Sequence, residues 1–365
     1  MKFSAERELI LAPLQAVIGV VERRQTMPIL ANVLVVGRDN ELWITATDLE
    51  VELVAKAAVT VQQSGEITLP ARKLLDIVRA LPDKAQVVVA IEGDRATVRS
   101  GKSRFTLATL PASDFPTVED IRAQQTLSVA QSALKRLLDK THFSMAQQDV
   151  RYYLNGMLLE AAGKVLRTVA TDGHRLAFCE ATLELDASAA QQVIVPRKGV
   201  LELQRLLSSD ATVELAIGGN HVRAQIGDIR FTSKLIDGRF PEYSRVIPSS
   251  PSKKIAVDRD TLRAALQRAA ILSNEKYRGI RLAVKTGALI LQSHNPEQEE
   301  AEEELTVNYS GEELDIGFNV NYLLDALAAL EAGEVELGLT DANNSCLLSS
   351  STTPQAKYVV MPMRL

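Results

Sequence analysis

Apolar positions along the chain follow two rhythms, and the order of those rhythms repeats three times. Spacing of three and four residues predicts helices at Leu9-Ile10-Leu11-Ala12-Pro13-Leu14 through Val21, Ser132 to Leu138 and Thr261 to Leu266. Leu9, Leu134 and Leu262 hold matching places, and Pro13 is read as near enough to a helix start to be tolerated. Runs with strand character follow each helix: Ile29 to Val36 and Leu42 to Ala46, Leu154 to Glu160 and Leu166 to Ala170, Ile280 to Lys285 and Ala288 to Ser293. A second helix is expected at Leu69 to Leu75, Val195 to Leu201 and Phe318 to Leu324. Alternating strands then close each third: Gln86 to Ile91 and Phe105 to Leu110, Val213 to Ile217 and Phe231 to Ile236, Val335 to Leu339 and Tyr358 to Met363.

Phe105, Phe231 and Tyr358 stand 126 and 127 positions apart, and Phe115-Pro116 recurs as Phe240-Pro241. One shared dipeptide is chance, whereas an ordered series at a constant interval is a repeat. The pattern therefore predicts an α+β protein of three similar domains, each with two helices packed on antiparallel sheets. Turn-rich segments near Pro116 to Gln125 and Pro248 to Lys254 place the domains at 1–125, 126–250 and 251–365.

Length agrees, since 365 residues exceed what one compact core accommodates. With 46% hydrophobic and 24% charged residues the composition is that of a soluble globular protein. No apolar run approaches the roughly 20 residues of a membrane span, and Met1-Lys2-Phe3-Ser4-Ala5-Glu6-Arg7-Glu8 lacks the apolar core of a secretory signal. Cys179 and Cys346 lie in different thirds without metal-site spacing, which points to a reduced, cytoplasmic protein. A net charge of −5 argues against coating DNA by bulk attraction but leaves room for a local basic surface.

Candidate chemistry is sparse. Arg99-Ser100-Gly101-Lys102-Ser103 ends like a phosphate-binding loop, but Ala96 stands where that motif needs Gly, and no helix follows. The four histidines, His142, His174, His221 and His294, lack second ligands at metal spacing, so neither metal nor cofactor is expected. In Val169-Ala170-Thr171-Asp172-Gly173-His174-Arg175-Leu176, Asp172 and His174 suggest an acid–base pair and hence a hydrolase. No Gly-x-Ser-x-Gly elbow accompanies them. The upstream echo Thr45-Ala46-Thr47-Asp48-Leu49-Glu50 keeps the Asp and loses the His. An Asp kept without its chemical partner is better read as a turn former bonding nearby amides. His174 and Arg175 stay open, as surface residues beside Leu176 that frame a binding site.

Two charge patterns bear on assembly. Glu297-Gln298-Glu299-Glu300-Ala301-Glu302-Glu303-Glu304 is acidic, while Arg95, Arg99, Lys102 and Arg104 lead to Phe105 and Leu107. Complementary edges let the tail of one chain meet the head of another, a heterologous contact that forms a ring if the rotation closes. The charges would set partner and register, with Ile271-Leu272, Phe105 and Leu107 as the buried part. Basic residues also recur on the helices: Arg72, Lys73 and Arg79; Lys135, Arg136 and Lys140; Arg197, Lys198 and Arg205; Arg263 and Arg268. Equivalent helices in a ring would present them on one surface and attract phosphates without reading bases. Asn321, Asp325 and Glu331 break that pattern in the last helix, and Tyr152 and Tyr153 either stack on bases or pack.

Several strings carry a resemblance over the whole chain: Phe143-Ser144-Met145-Ala146, Asp149-Val150-Arg151-Tyr152-Tyr153-Leu154-Asn155-Gly156, Ala170-Thr171-Asp172-Gly173-His174-Arg175-Leu176 and Asn295-Pro296-Glu297-Gln298-Glu299-Glu300-Ala301-Glu302. On these the sequence resembles the bacterial DNA polymerase III beta-subunit family, the DNA sliding clamps. That resemblance implies a non-catalytic processivity factor in the clamp fold, with a head-to-tail homodimer closed around double-stranded DNA without sequence preference. It implies DNA contacts at Arg24, Arg72, Gln148, Tyr152 and Tyr153. It further implies a pocket for short peptides of the polymerase III alpha subunit, the clamp loader, other polymerases and repair proteins. The matching pocket positions are Leu154, Thr171, Gly173, His174, Arg175, Leu176, Pro241, Val246, Asn319, Tyr322, Met361, Pro362, Met363 and Arg364. The implied dimer contact joins Lys73, Arg95, Lys102, Arg104, Phe105 and Leu107 to Ile271, Leu272, Glu297, Glu299, Glu300, Glu302 and Glu303, with Lys102 in place of a more usual Arg.

Overall fold

The structure, a computed structural model, describes residues 1–21, 27–118, 121–183, 187, 189–208 and 210–364. The first third runs β1 (Lys2–Glu6), α1 (Arg7–Val17), β2 (Asn32–Arg38), β3 (Glu41–Thr47), β4 (Val51–Ala58), β5 (Thr60–Gln63), β6 (Gly65–Pro70), α2 (Ala71–Ala80), β7 (Gln86–Glu92), β8 (Arg95–Ser100) and β9 (Ser103–Ala108). The middle third runs β10 (Ala123–Ala130), α3 (Gln131–Thr141), β11 (Gly156–Ala162), β12 (Val165–Thr171), β13 (Arg175–Thr182), β14 (Gln191–Pro196), α4 (Arg197–Leu206), β15 (Thr212–Gly218), β16 (His221–Ile226) and β17 (Ile229–Lys234). The last third runs β18 (Lys253–Asp258), α5 (Arg259–Ala269), β19 (Gly279–Lys285), β20 (Ala288–His294), β21 (Glu300–Thr306), β22 (Leu314–Asn319), α6 (Val320–Ala329), β23 (Glu334–Leu339), β24 (Cys346–Ser349) and β25 (Ala356–Val360). Apart from the extra β5, the order of strands and helices is the same in all three.

Local sequence accounts for the elements and for the places where expectation and structure part. Helix α1 buries Ile10, Leu14 and Val17 at four- and three-residue steps, and α5 buries Leu262, Ala265, Leu266 and Ala269. The Asp258 carboxylate caps α5 by accepting the Thr261 amide at 2.8 Å. Pro13 lies inside α1 rather than in its first turn, so one backbone bond of that helix is missing. Ile29 to Ala31, expected as strand, forms a short 3-10 turn (Pro28–Ala31) before β2. Leu154 likewise ends a turn (Tyr152–Leu154), and β11 starts at Gly156.

Every strand pairing within the four sheets is antiparallel, and the chain divides into two compact units. One unit, Met1–Ser132 with Lys198–Leu235, holds a five-stranded sheet ordered β5-β1-β7-β8-β9 and an eight-stranded sheet ordered β10-β15-β16-β17-β4-β3-β2-β6. Hence β4 pairs with β17, and strands from two thirds of the chain share one sheet. Glu52 of β4 is only 2% exposed, and its carboxylate accepts the Val118 amide at 3.0 Å. Burial pushes that carboxyl above the usual range. Arg99 to Ser103 forms the hairpin between β8 and β9, with Gly101 at φ 54°, and has no helix to receive a phosphate.

The other unit, Ala133–Arg197 with Ile236–Leu365, holds an eight-stranded sheet ordered β14-β11-β12-β13-β25-β24-β23-β18 and a four-stranded sheet ordered β21-β20-β19-β22. Side chains alternate across the larger sheet. On one face Thr168 of β12 donates through Oγ1 to the Leu137 carbonyl of α3 at 3.0 Å. On the other face Ile194, Leu158, Val169 and Phe178 stand side by side on β14, β11, β12 and β13. Leu176, Phe240 and Val359 complete that buried cluster. Burying each large side chain of this kind is worth about 1.5–3 kcal/mol.

Candidate functional site

The site begins with the turn between β12 and β13. Thr171 donates through Oγ1 to the Arg175 carbonyl at 2.6 Å, and the same oxygen accepts the Gly173 amide at 3.1 Å. Asp172 Oδ1 accepts the amides of His174 and Arg175 at 2.9 and 3.1 Å. The first third has the same lattice: Thr47 Oγ1 donates to the Val51 carbonyl, and Asp48 Oδ1 accepts the amides of Glu50 and Val51 at 2.9 and 2.7 Å. Asp172 is thus a turn former. Its second oxygen serves Arg175, so the suspected pair with His174 is not built. Gly173 sits at φ 88° and its counterpart Leu49 at φ 78°. A leucine pays for that conformation where glycine does not. Leu49→Gly should raise unfolding free energy by about 0.5–1 kcal/mol; an unchanged denaturation midpoint contradicts this.

Arg175 is the hub of the corner. Its Nε donates to Asp172 Oδ2 at 3.0 Å, Nη1 to Asp325 Oδ2 at 2.5 Å and Nη2 to the Phe143 carbonyl at 2.7 Å. The guanidinium also lies 4.5 Å from the Tyr322 ring centroid, a cation–π distance. Three distant segments therefore meet on one side chain. The C-terminal segment is bound to the same corner, because the Met361 amide donates to the His174 carbonyl at 2.9 Å and the Met363 amide to Gly317 at 2.9 Å. Asn319 caps α6 by accepting the Asn321 amide, which places Tyr322 in the first turn.

A second wall comes from the 147–155 loop. Asp149 and Asn155 exchange bonds at 2.9 Å in both directions. Arg151 grips Asp149 through Nε and Nη2 and donates to the Asp172 carbonyl at 3.1 Å. That guanidinium holds the Asp149 carboxyl at about 2, well below the usual range. A Cβ on Gly173 would meet Arg151 Nη1 at 2.7 Å and displace that guanidinium, while the positive φ is the stronger reason for glycine. The floor is the apolar cluster with Leu176, and Val246 packs against it from the 243–247 segment. Leu154 is buried, while His174, Pro241 and Met361 are exposed around the rim. This apolar cluster, edged by polar groups, is a candidate groove for a short peptide with apolar side chains. A cleft of about 1100 Å³ lies over β19 to β22 and shares only Met363 and Arg364 with the residues expected in the pocket. Among the described residues no cluster of His, Cys, Asp or Glu is placed to hold a metal.

Three family models cover nearly the whole chain in series. They describe the N-terminal, central and C-terminal domains of the DNA polymerase III beta subunit and match residues 1–119, 128–242 and 244–364. The chain belongs to the DNA polymerase III beta-subunit family. Beta sliding clamps of Pseudomonas aeruginosa and Escherichia coli K12 are 54% and 52% identical to it, with all of both chains covered. A P. aeruginosa sliding clamp solved with griselimycin superposes with a TM-score of 0.96 at 54% identity, and a Caulobacter crescentus pol III beta does so with 0.96 at 40%, each over the full length of both chains. The three-domain clamp fold of the beta subunits is therefore the fold of this chain.

The remaining positions singled out for a beta subunit fall in three places. Gln148, Tyr152 and Tyr153 share the 147–155 loop, with Gln148 at φ 55° and the two tyrosine rings edge to face at 5.8 Å. Arg72 is exposed on α2 in the other unit and gives Nη2 to the Val21 carbonyl at 2.7 Å, while Arg24 lies outside the described residues. Several of the helix cations have intramolecular partners: Lys198 with Asp48, Lys140 with Glu331, and Arg205 with the Gln15 and Ala16 carbonyls. β9 and β21 are both edge strands. On the first, Arg104 is exposed, Phe105 is half-buried and Leu107 is only 7% exposed; Lys102 in the preceding turn, Arg95 on β8 and Lys73 on α2 are also exposed. On the second, Glu303 is held by Arg268 at 2.6 Å, Glu302 accepts from Gln292, and Glu299 accepts from Asn295 within the preceding turn; Glu297, Glu299, Glu300 and Glu302 are exposed. Ile271 is 75% exposed, with Leu272 half-buried beside it.

What sequence reading missed is the set of charged groups supporting the groove: Arg151 seated on Gly173, Asp325 on Arg175, and a polar row on the floor strands. A signal for the last existed, since Glu160, Arg167 and Glu180 interrupt the apolar alternation of three successive strands.

Proposed function

We propose that this chain is a DNA sliding clamp, a ring-forming processivity factor that tethers the replicative polymerase to duplex DNA and carries no catalytic centre of its own. The observation that carries this reading is the succession of three beta-subunit domains over the whole chain. We place their boundaries at 1–125, 126–250 and 251–365. Two chains associate head to tail, with the basic edge strand β9 beside the acidic edge strand β21, because each offers unpaired backbone groups to the other. Ile271, Leu272 and Phe105 form the apolar part of that contact. Arg24, Arg72, Gln148, Tyr152 and Tyr153 meet the phosphates and bases of DNA without reading sequence. The groove around Leu176 takes the peptides of the polymerase III alpha subunit, the clamp loader, other polymerases and repair proteins. Cytoplasmic replication is the setting, and the two buried free cysteines suit a reduced compartment.

A clamp must hold DNA by topology while gripping it weakly, which distinguishes it from an ordinary binding protein. After loading onto nicked circular DNA, the protein is expected to stay through a high-salt wash and to be lost when the circle is linearised. A protein held by contacts alone remains after linearisation, and that result would overturn the reading.

A further inference from the structure

The 240–247 segment carries one rim of the groove, and it is pinned to the floor by a row of polar side chains. Glu160, Arg167 and Glu180 lie directly opposite one another on β11, β12 and β13. Arg167 donates through Nη1 to Glu160 Oε1 at 3.2 Å and through Nε to Glu180 Oε2 at 2.8 Å. The other Glu160 oxygen accepts the Tyr243 hydroxyl at 2.7 Å. These groups stand on the same face as the apolar cluster, two residues along each strand from Leu158, Val169 and Phe178, as strand alternation requires. The Tyr243 ring packs on Phe178 with centroids 6.0 Å apart. Its backbone carbonyl then accepts the Val246 amide at 3.0 Å and the Ile247 amide at 3.3 Å. Val246 is thus placed by a continuous chain of bonds that starts in the sheet.

We infer that Tyr243 is a positioning residue for the peptide groove: its bond to the Glu160–Arg167 pair fixes how far Val246 stands from the Leu176 floor. The inference rests on the groove being the peptide seat. A hydroxyl bonded to a carboxylate is a strong, directional tether, and here it is sheltered, since the Glu160 side chain is only 12% exposed. Burial together with this bond pushes the Tyr243 hydroxyl up to about 12, so the tether keeps its proton throughout the physiological range. A seat whose walls are held before the ligand arrives loses less on binding. Freeing the segment therefore weakens the complex without removing any contact to the ligand.

The test uses the full-length protein and labelled griselimycin, the ligand found on the P. aeruginosa relative. Tyr243→Phe should raise the dissociation constant by about three- to tenfold, chiefly through faster release. Glu160→Ala should do the same, and Glu160→Gln, which keeps an acceptor oxygen, should recover most of the loss. The double variant Tyr243→Phe with Glu160→Ala should be no weaker than the worse single variant, because both break one tether. Additive losses, or parent-like binding by Tyr243→Phe, overturn the inference. Leu176→Ala separates this from the underlying reading: if it leaves binding intact, the groove is not the seat. If it abolishes binding while Tyr243→Phe does not weaken it, only the tether is wrong.

Discussion

Replacing Ile271 and Leu272 together with alanine is expected to leave the protein sedimenting as a single chain of 39.8 kDa instead of as a pair. The turn that bears them, Ala270–Leu272, is anchored by Ala270 and Ser273, which are 4% and 3% exposed. Ile271 itself stands 75% exposed on that fixed base. A rigid turn presenting an aliphatic side chain to water suits an interface anchor, where truncation costs about 2 kcal/mol per residue. Two such losses raise the dissociation constant by about a thousandfold. The charged edges contribute differently. Three of the acidic side chains near β21 already have partners in their own domain, so Lys102→Glu should slow association and alter its salt dependence while leaving a dimer. An unchanged mass for the alanine double variant would remove Ile271 and Leu272 from the interface.

Arg175→Ala should be the most damaging single change in the groove. The side chain is 13% exposed and that of Asp172 is 17% exposed. Removing one member of a largely buried pair strands the other, at a cost of about 3 kcal/mol. The pair with Asp325 adds little, because that carboxylate is 47% exposed. A drop of several degrees in thermal midpoint is expected, with weaker peptide binding at the proposed groove as Tyr322, Asp172 and the Phe143 segment lose their common partner. Arg175→Lys keeps the charge but not the fork, and should recover only part of either property. Parent-like unfolding and affinity would show that the hub is dispensable.

The contrast between these residues marks how far the sequence could be read. Periodicity revealed the helices and strands because apolar side chains must face a core at fixed steps, and the recurrence of Phe105, Phe231 and Tyr358 exposed the repeat. Reading Asp172 as a turn former succeeded for a related reason: Asp48 kept the turn without the histidine. The sharing of one sheet by β4 and β17 was not legible, because nothing along a strand states which distant edge it will join. Arg175 shows a second limit. Its neighbours Asp325, Tyr322 and the Phe143 carbonyl lie far from it in sequence, and a lone arginine after a turn carries no mark of them. The helix cations show a third, since nothing in the sequence around Lys198 and Arg205 marks Asp48 and the α1 carbonyls as their partners.

Glu52 and its bond to Val118 have a consequence for stoichiometry. Aligning Thr47 with Thr171 sets Glu52 in the place of Leu176, the floor of the groove. There the first domain puts a buried carboxylate and occupies it with the amide of its own connecting segment. The fold was copied, but that copy of the seat was closed from within. Under the proposed function the seats are then fewer than the domains, since the first third does not repeat the groove of the middle third. Partners on one clamp would accordingly compete for a fixed number of places, and the order in which they act becomes a question of occupancy and release rates.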